Sequence, residues 1–239
     1  MRLDRLVGEA LSSRAKAREA IAQGRVRVNG ATERDGAFGV SERDAVTLDG
    51  AGIGKRETLH LMLHKPADCV TAREDARFST VFDLIPPGFR TEELSAVGRL
   101  DRDVTGLLLL TEDGQLAHRL ISPRFEVEKV YLARVTGRLT DSDVARLAEG
   151  IPLHDFVARP AKLEILEASE EYSVALLTVH EGKFHQVKRM FQALGHPVET
   201  LHRQSVGGVE LDPVLPPGAY RKLSSEEIAH LYALTEMKP

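Results

Sequence analysis

The sequence predicts an α+β protein in two parts, a small N-terminal module and a larger domain mixing strands with helices. Three observations carry this. Apolar runs of strand length and period stand at 59–64, 107–110, 129–135 and 174–179. Apolar residues at helical spacing recur in 3–11, 144–148 and 187–194. A glycine-rich break, Gly50-Ala51-Gly52-Ile53-Gly54-Lys55, separates an Arg-rich beginning from the remainder.

A chain of 239 residues, 42% apolar and 28% charged, can bury a sizeable core and still carry a second module. The single cysteine, Cys69, excludes an internal disulfide and a cysteine metal cluster and fits a reducing compartment. The start, Met1-Arg2-Leu3-Asp4, has no apolar leader pattern, and no window approaches a membrane span, so a cytoplasmic protein with no membrane partner is expected. A net charge of −4 argues against nucleic acid only if the charge is spread evenly. It is not: between Met1 and Arg34 stand eight cations, Arg2, Arg5, Arg14, Lys16, Arg18, Arg25, Arg27 and Arg34, against four acids.

In this module Leu3, Leu6, Val7, Ala10 and Leu11 fall at helical spacing. Ser13 is a natural N-cap for a second helix through Ala22, closed by Gly24. Val26 and Val28 alternate with Arg25 and Arg27 before the hairpin signal Asn29-Gly30, which turns the arginines away from the valines. Asp35 to Lys55, with its glycines and acids, reads as connecting chain. The division drawn is a module over 1–50, a linker over 51–57 and the larger domain over 58–239. The run Ser13-Arg14-Ala15 through Gly24-Arg25-Val26-Arg27-Val28-Asn29-Gly30 resembles the S4 RNA-binding domain. The resemblance implies that Arg2, Arg5, Arg14, Lys16, Arg18, Arg25 and Arg27 meet RNA phosphates; a merely solvated charged face is the alternative.

In the larger domain Leu59, Leu61 and Leu63 alternate with His60, Met62 and His64, a half-buried strand ended by Lys65-Pro66. His60 and His64 share a face without a third ligand nearby, and no metal site is expected. Val81 to Ile85 before Pro86-Pro87-Gly88 reads as a short helix or turn. Gln115 to Leu120 reads as a short helix, and Lys129 to Val135 as a strand with Tyr131 on the face opposite Val130 and Leu132. Thr140 to Gly150 reads as a capped helix with Asp143 in its first turn, Leu163 to Glu171 as an acidic stretch facing away from RNA, and Val174 to Val179 as a near-continuous apolar strand. His185 to Leu194 places Val187, Met190, Phe191 and Leu194 on one helical stripe, with Gly195 as the stop. Two strands around Gly207-Gly208 and a helix capped by Ser224 and Glu227 close the chain.

The most informative stretch is Val97 to Gly114. A loop with two carboxylates, Gly98-Arg99-Leu100-Asp101-Arg102-Asp103, runs into four leucines, Leu107 to Leu110, which read as a strand buried on both faces. From the residues alone, Asp101 and Asp103 are equally turn residues bonding their own backbone or acids held on a rigid support.

Gly98-Arg99-Leu100-Asp101 followed by Thr105 to Thr111 and Asp113-Gly114 resembles the signature of the RsuA/RluA superfamily of pseudouridine synthases. Lys129-Val130-Tyr131 and Glu181 to Phe191 are similar to its second and third motifs. The resemblance implies a mixed, mainly antiparallel sheet flanked by helices. It implies Asp101 as the catalytic acid, Tyr131 as a stacking platform for the target base, and Lys188 as the cation that pairs with Asp101 and keeps it ionised. Lys188 stands where many relatives have arginine, though it is similar to the RsuA branch. Arg99 resembles the arginine that enters the space of a flipped base; a phosphate contact or an ion pair with Asp103 is its alternative. Gln186 and Arg189 lie off the apolar stripe of their helix, near the site, Arg189 with the alternative of a plain basic face.

The expected activity is isomerisation of a uridine in small-subunit (16S) ribosomal RNA, free or in an assembling particle, by a monomer without cofactor or bound nucleotide. The competing readings are a large-subunit (23S) rRNA synthase of the same superfamily and a non-catalytic RNA-binding assembly factor.

Overall fold

The computed structural model describes residues 1–41, 43–54, 58–86, 89 and 91–238, and separates into two compact units, Met1–Thr58 and Leu59–Pro239.

The first unit begins with helices α1 (Leu3–Ala10) and α2 (Arg14–Ala22). Ser13 caps α2 by accepting the Lys16 N–H at 3.3 Å. The chain leaves α2 through Gly24 at φ +74°. Strands β1 (Val26–Val28), β2 (Ala31–Thr32), β3 (Val46–Leu48) and β4 (Ala51–Ile53) follow, ordered β2-β1-β3-β4 and antiparallel throughout. Asn29 and Gly30 turn β1 into β2 with both φ positive, at 51° and 84°. Leu3, Leu6 and Val7 of α1, Ala17 and Ile21 of α2, and Val26 and Val28 of β1 form one core. One part of the linker expectation changes. Residues 46–53 are a hairpin of this sheet, because Asp49-Gly50 repeats the left-handed pair of Asn29-Gly30 with φ of 51° and 84°. Residues 55–57 of the expected linker, and Pro87 and Gly88 after the 81–85 turn, lie outside the described residues.

The second unit contains β5 (His60–Lys65), β6 (Ser95–Ala96), β7 (Thr105–Thr111), α3 (Gly114–Ile121), β8 (Lys129–Thr136), α4 (Asp141–Glu149), β9 (Ile151–Pro152), β10 (Val157–Ala158), β11 (Lys162–Ala168), β12 (Tyr172–Val179), α5 (Gln186–Leu194), β13 (Val198–Val206), β14 (Val209–Glu210), β15 (Tyr220–Lys222) and α6 (Ser225–Leu234). The main sheet runs β11-β12-β8-β13-β7-β5-β15, with β14 on β13 and β6 on β7, and β9 pairs with β10 apart from it. Among the described strands of this sheet, β13 and β7 alone pair in parallel. The fold is thus the mixed, mainly antiparallel α+β architecture expected.

Its two halves are covered differently. Leu107 and Leu109 of β7 meet Leu116 and Leu120 of α3 and Leu231 and Tyr232 of α6. Leu108 and Leu110 meet Cys69, Val81, Ile85 and Leu94 on the other face. Both faces being covered, four leucines in a row are the natural strand sequence. The same layers bury Leu61, Met62 and Leu63, so β5 is a central strand and not the half-buried one that its alternation suggested. The β12–β8 half packs α4 and α5 on one face only. Accordingly β12 alternates between buried and half-exposed residues, unlike the near-continuous run read from its composition. His60 and His64 hold structure: the His60 ring nitrogen lies 2.8 Å from the Thr111 hydroxyl, and that of His64 2.7 Å from the Leu215 carbonyl. No metal-binding cluster occurs among the described residues. Capping boxes start α4 (Thr140 with Asp143) and α6 (Ser224 with Glu227).

The parallel pairing of β7 with β13 brings Gly106 opposite Arg203. Gly106 has φ +110°, and a Cβ there would fall on the Arg203 backbone. Gly106→Ala is therefore expected to lower unfolding stability by about 2 kcal/mol or more in urea titration, with wild-type helix content recovered in the folded baseline.

Candidate active site

The loop 98–104 leads into β7 and is pinned from below. Lys65, at the end of β5 and fully buried, donates to the carbonyls of Pro66 at 2.9 Å, Arg102 at 3.2 Å and Val104 at 2.8 Å. Burial pushes the Lys65 ammonium below its ordinary pKa, while Asp103, Asp101 and Asp68 pull in the other direction. The Thr71 hydroxyl adds a reciprocal pair with Leu100, accepting its N–H at 3.2 Å and donating to its carbonyl at 3.0 Å. The loop holding Asp101 thus has its backbone groups satisfied on the protein side.

One cleft, open to solvent, is lined by Arg99, Asp101, Tyr131, Gln186 and Lys188 together with Lys129, Glu181 and Arg203. Residues 30 and 87 positions away from Asp101 along the chain meet it here, because β8 lies beside β13 and α5 packs over the same face. Lys188 Nζ is 3.4 Å from Asp101 Oδ2, but it is chelated by Asp103, at 2.7 and 2.8 Å from its two oxygens. The expected pairing with Asp101 is therefore shared, and Asp103 holds the shorter contacts. Burial works to raise the Asp103 carboxyl; the Lys188 hydrogen bond and charge outweigh it and hold the group below its ordinary value. His185, at φ 50° before α5, sets Nε2 3.4 Å from Asp101 Oδ1 and stacks on the exposed Phe184 ring at 3.7 Å. Tyr131 is 9% exposed and turns its side chain to the buried face of β8, opposite Val130 and Leu132.

Other expectations are redirected. Arg99 is exposed at the cleft, and Asp103 pairs with Lys188 in place of Arg99. Gln186 is buried: its amide donates to Glu181 Oε1 at 2.8 Å and accepts the Lys183 N–H at 3.0 Å, so it shapes the 181–185 turn and does not reach outward. Arg189 lies outside the cleft, paired with Asp155 and 5.2 Å from the Phe156 ring centroid. On α5 it is one residue past Lys188, about 100° round the helix, which separates their targets.

Sequence reasoning missed Lys65, Lys129, His185 and Arg203. Lys129 and Arg203 each precede or follow a cleft residue by two positions on a strand, Tyr131 and Leu201, and so share its face. That period was the available signal.

In the first unit, Arg2 pairs with Asp4 at 2.8 and 3.0 Å, Arg5 with Glu9 at 3.2 Å, and Arg25 with Asp49. Arg14, Lys16, Arg18 and Arg27 are exposed and make no ion pair among the described residues. Arg2, Asp4, Arg5, Arg14 and Arg18 line one depression.

Residues 59–193 match the RNA pseudouridylate synthase family and residues 1–46 the S4 domain. The chain belongs to the RNA pseudouridylate synthase family, whose members are isomerases. It is 42% identical over 95% of its length to the ribosomal small subunit pseudouridine synthase A of Vibrio parahaemolyticus serotype O3:K6 (strain RIMD 2210633), covering 98% of that protein. It is 40% identical over 96% of its length to the protein of the same description from Escherichia coli (strain K12), covering 99% of it. A crystal structure of a pseudouridylate synthase superposes with a TM-score of 0.68 at 38% identity, covering 97% of this chain and 99% of that one.

Because the Lys188 hydrogen bond and charge oppose burial at Asp103, removing them should raise its pKa. Carboxyl-carbon NMR is expected to show Asp103 titrating below the ordinary aspartate range in the wild-type protein and at higher pH in Lys188→Met.

Proposed function

We propose that this enzyme converts a uridine of small-subunit ribosomal RNA to pseudouridine, with Asp101 as the acting carboxylate. What carries the reading is the convergence of Asp101, Tyr131 and Lys188 in one cleft of a pseudouridylate synthase fold. The small-subunit choice is supported by the full-length likeness to proteins described as acting on that subunit.

The reaction breaks the N1–C1′ bond, turns the uracil and rejoins it through C5. Nothing is oxidised or reduced overall, so the chemistry calls for no redox cofactor. It does need a carboxylate at the sugar, a surface on which the freed base can turn, and exclusion of water. Asp101 stands on a loop whose backbone is tied to Lys65 and Thr71. Its side chain faces Lys188 and His185, both at 3.4 Å, two groups that can balance its negative charge. The Tyr131 ring offers a face on which a pyrimidine rotates without hydrogen bonds to break. Arg99, exposed beside Asp101, is placed to meet the RNA from which the base is drawn.

Arg14, Lys16, Arg18 and Arg27, which make no ion pair among the described residues, contact phosphates, whereas Arg2, Arg5 and Arg25 have carboxylates to exchange for them. The cleft draws its lining wholly from the larger unit, and we take the working form as a monomer in the cytoplasm, where ribosomal RNA is made and assembled.

Purified protein should form pseudouridine in 16S and not in 23S transcripts, read by carbodiimide mapping. Modification of 23S alone would transfer the assignment to the large subunit; modification of neither, in free RNA or assembling particles, would leave an RNA-binding factor. Asp101→Asn is expected to lose at least about 10³-fold in rate while binding RNA as tightly as wild type. Arg14→Ala and Arg18→Ala should each weaken RNA binding and reduce the slope of log K against log salt by about one.

A further inference from the structure

Two buried cations line the cleft without a carboxylate, among the described residues, to neutralise them. Arg203 is 2% exposed and Lys129 is 6% exposed. Lys129 Nζ donates to the carbonyls of Val127 at 2.8 Å and Leu120 at 3.3 Å. Arg203 Nε donates to the Leu107 carbonyl at 2.8 Å, and its Nη2 is buried with no hydrogen-bond partner among the described residues. Neither makes an ion pair among the described residues. The carboxylates of the cleft are engaged elsewhere: Glu181 Oε1 accepts from Gln186 and from the Arg159 N–H at 2.9 Å, and Asp101 faces His185 and Lys188. Burial, and next to it the charge of Arg203, push the Lys129 ammonium down to about 8. Two like charges side by side in a low-dielectric wall, one with an orphaned donor, are unfavourable for folding and need another reason to be there.

We propose that Arg203 and Lys129 form a cationic floor to the base pocket that stabilises the negative charge carried by the pyrimidine while it is detached from its ribose. The proposal deepens, and rests on, the uridine isomerisation proposed above. Heterolysis of N1–C1′ leaves the bonding pair on the base, spread over N1, O2 and O4. The deficit at C1′ is met by the Asp101 carboxylate or by loss of the 2′ proton. When C5 bonds to C1′, the Asp101–C1′ bond breaks or, on the other route, the proton returns to C2′; the C5 proton leaves to solvent and N1 takes one up, so the sum is an isomerisation. The detached anion is the species that a water-poor cleft penalises most, and fixed cations there act at full strength without reorganising. A phosphate is the less suitable occupant. The wall beside Arg203 and Lys129 is apolar and aromatic, with Leu100, Val104, Tyr131 and Leu201, which suits a flat base, whereas the exposed cations Arg99 and Lys183 stand where a backbone passes.

The test is the single-turnover rate of pseudouridine formation at saturating enzyme, with RNA affinity measured separately. Arg203→Gln is expected to lose about 100-fold in that rate at unchanged RNA affinity, Lys129→Met about tenfold, and Arg203→Lys to recover most of the loss. A folded Arg203→Gln protein that isomerises at the wild-type rate overturns the proposal. If Asp101→Asn is dead in the same assay, the isomerase reading stands and only the cationic floor falls; a wild-type protein inactive on both rRNAs removes both. Should Arg203→Gln not fold, the wild-type protein decides: ¹⁹F NMR of bound 5-fluorouracil is expected to show the base ionising at lower pH than in free solution. Ionisation at the same or higher pH, or no binding at millimolar base, is the overturning result.

Discussion

A loop bearing two carboxylates is held in this protein by a buried ammonium. Lys65 has no exposed surface, and its three donors all meet carbonyl oxygens at or beside the loop that carries Asp101. A charge sealed this deeply is tolerable only while every donor is occupied, so the loop cannot relax without stranding it. The position of Asp101 is thus coupled to the core of the sheet through β5. Around this fixed point the rest of the cleft is assembled: α5 supplies Lys188 and His185, β8 supplies Tyr131 and Lys129, and β13 supplies Arg203.

The cations of the cleft divide by what they face. Lys188 meets two carboxylates and is partly exposed, a pair open to solvent in which Asp103 takes the shorter contacts. Lys129 meets only carbonyls and is buried, as Lys65 is beneath the loop, and Arg203 bonds a carbonyl through Nε while its buried Nη2 has no partner among the described residues. This distribution leaves Asp101 less tightly paired than Asp103, while the buried positive charge sits on the wall of the cleft beside Tyr131. The one parallel pairing in the sheet, β7 with β13, makes this possible, since it runs Arg203 past Gly106 at a separation that only glycine permits.

Much of this was readable from the chain. Four leucines followed by Asp113-Gly114 indicated a strand buried on both faces, and the structure supplies a hydrophobic layer for each. Ser13, Asn29-Gly30, Thr140 with Asp143, and Ser224 with Glu227 marked element ends because capping and left-handed turns are satisfied within a few residues. Local signals failed where burial depended on distant layers. The alternation of β5 pointed to a half-buried strand, and the apolar run of β12 to a fully buried one; each was the reverse, because coverage comes from elements elsewhere in the chain. Asp49-Gly50 reads as connecting chain among the acids and glycines around it, although its chemistry is that of the neighbouring hairpin turn.

By itself the sequence indicated the main helices and strands, the caps and turns that end many of them, and the three motif segments, since propensity, capping and period act over a few residues. Which side chains of those segments face one another was decided only by the tertiary structure. Gln186 and Arg189 share the polar side of the Lys188 helix in the sequence pattern, yet Arg189 turns to Asp155 and Gln186 to Glu181. The preference of Lys188 for Asp103, and the bare charges of Lys129 and Arg203, arise from contacts between segments up to 96 residues apart. Electrostatic balance is a property of the folded neighbourhood, and no local pattern records it.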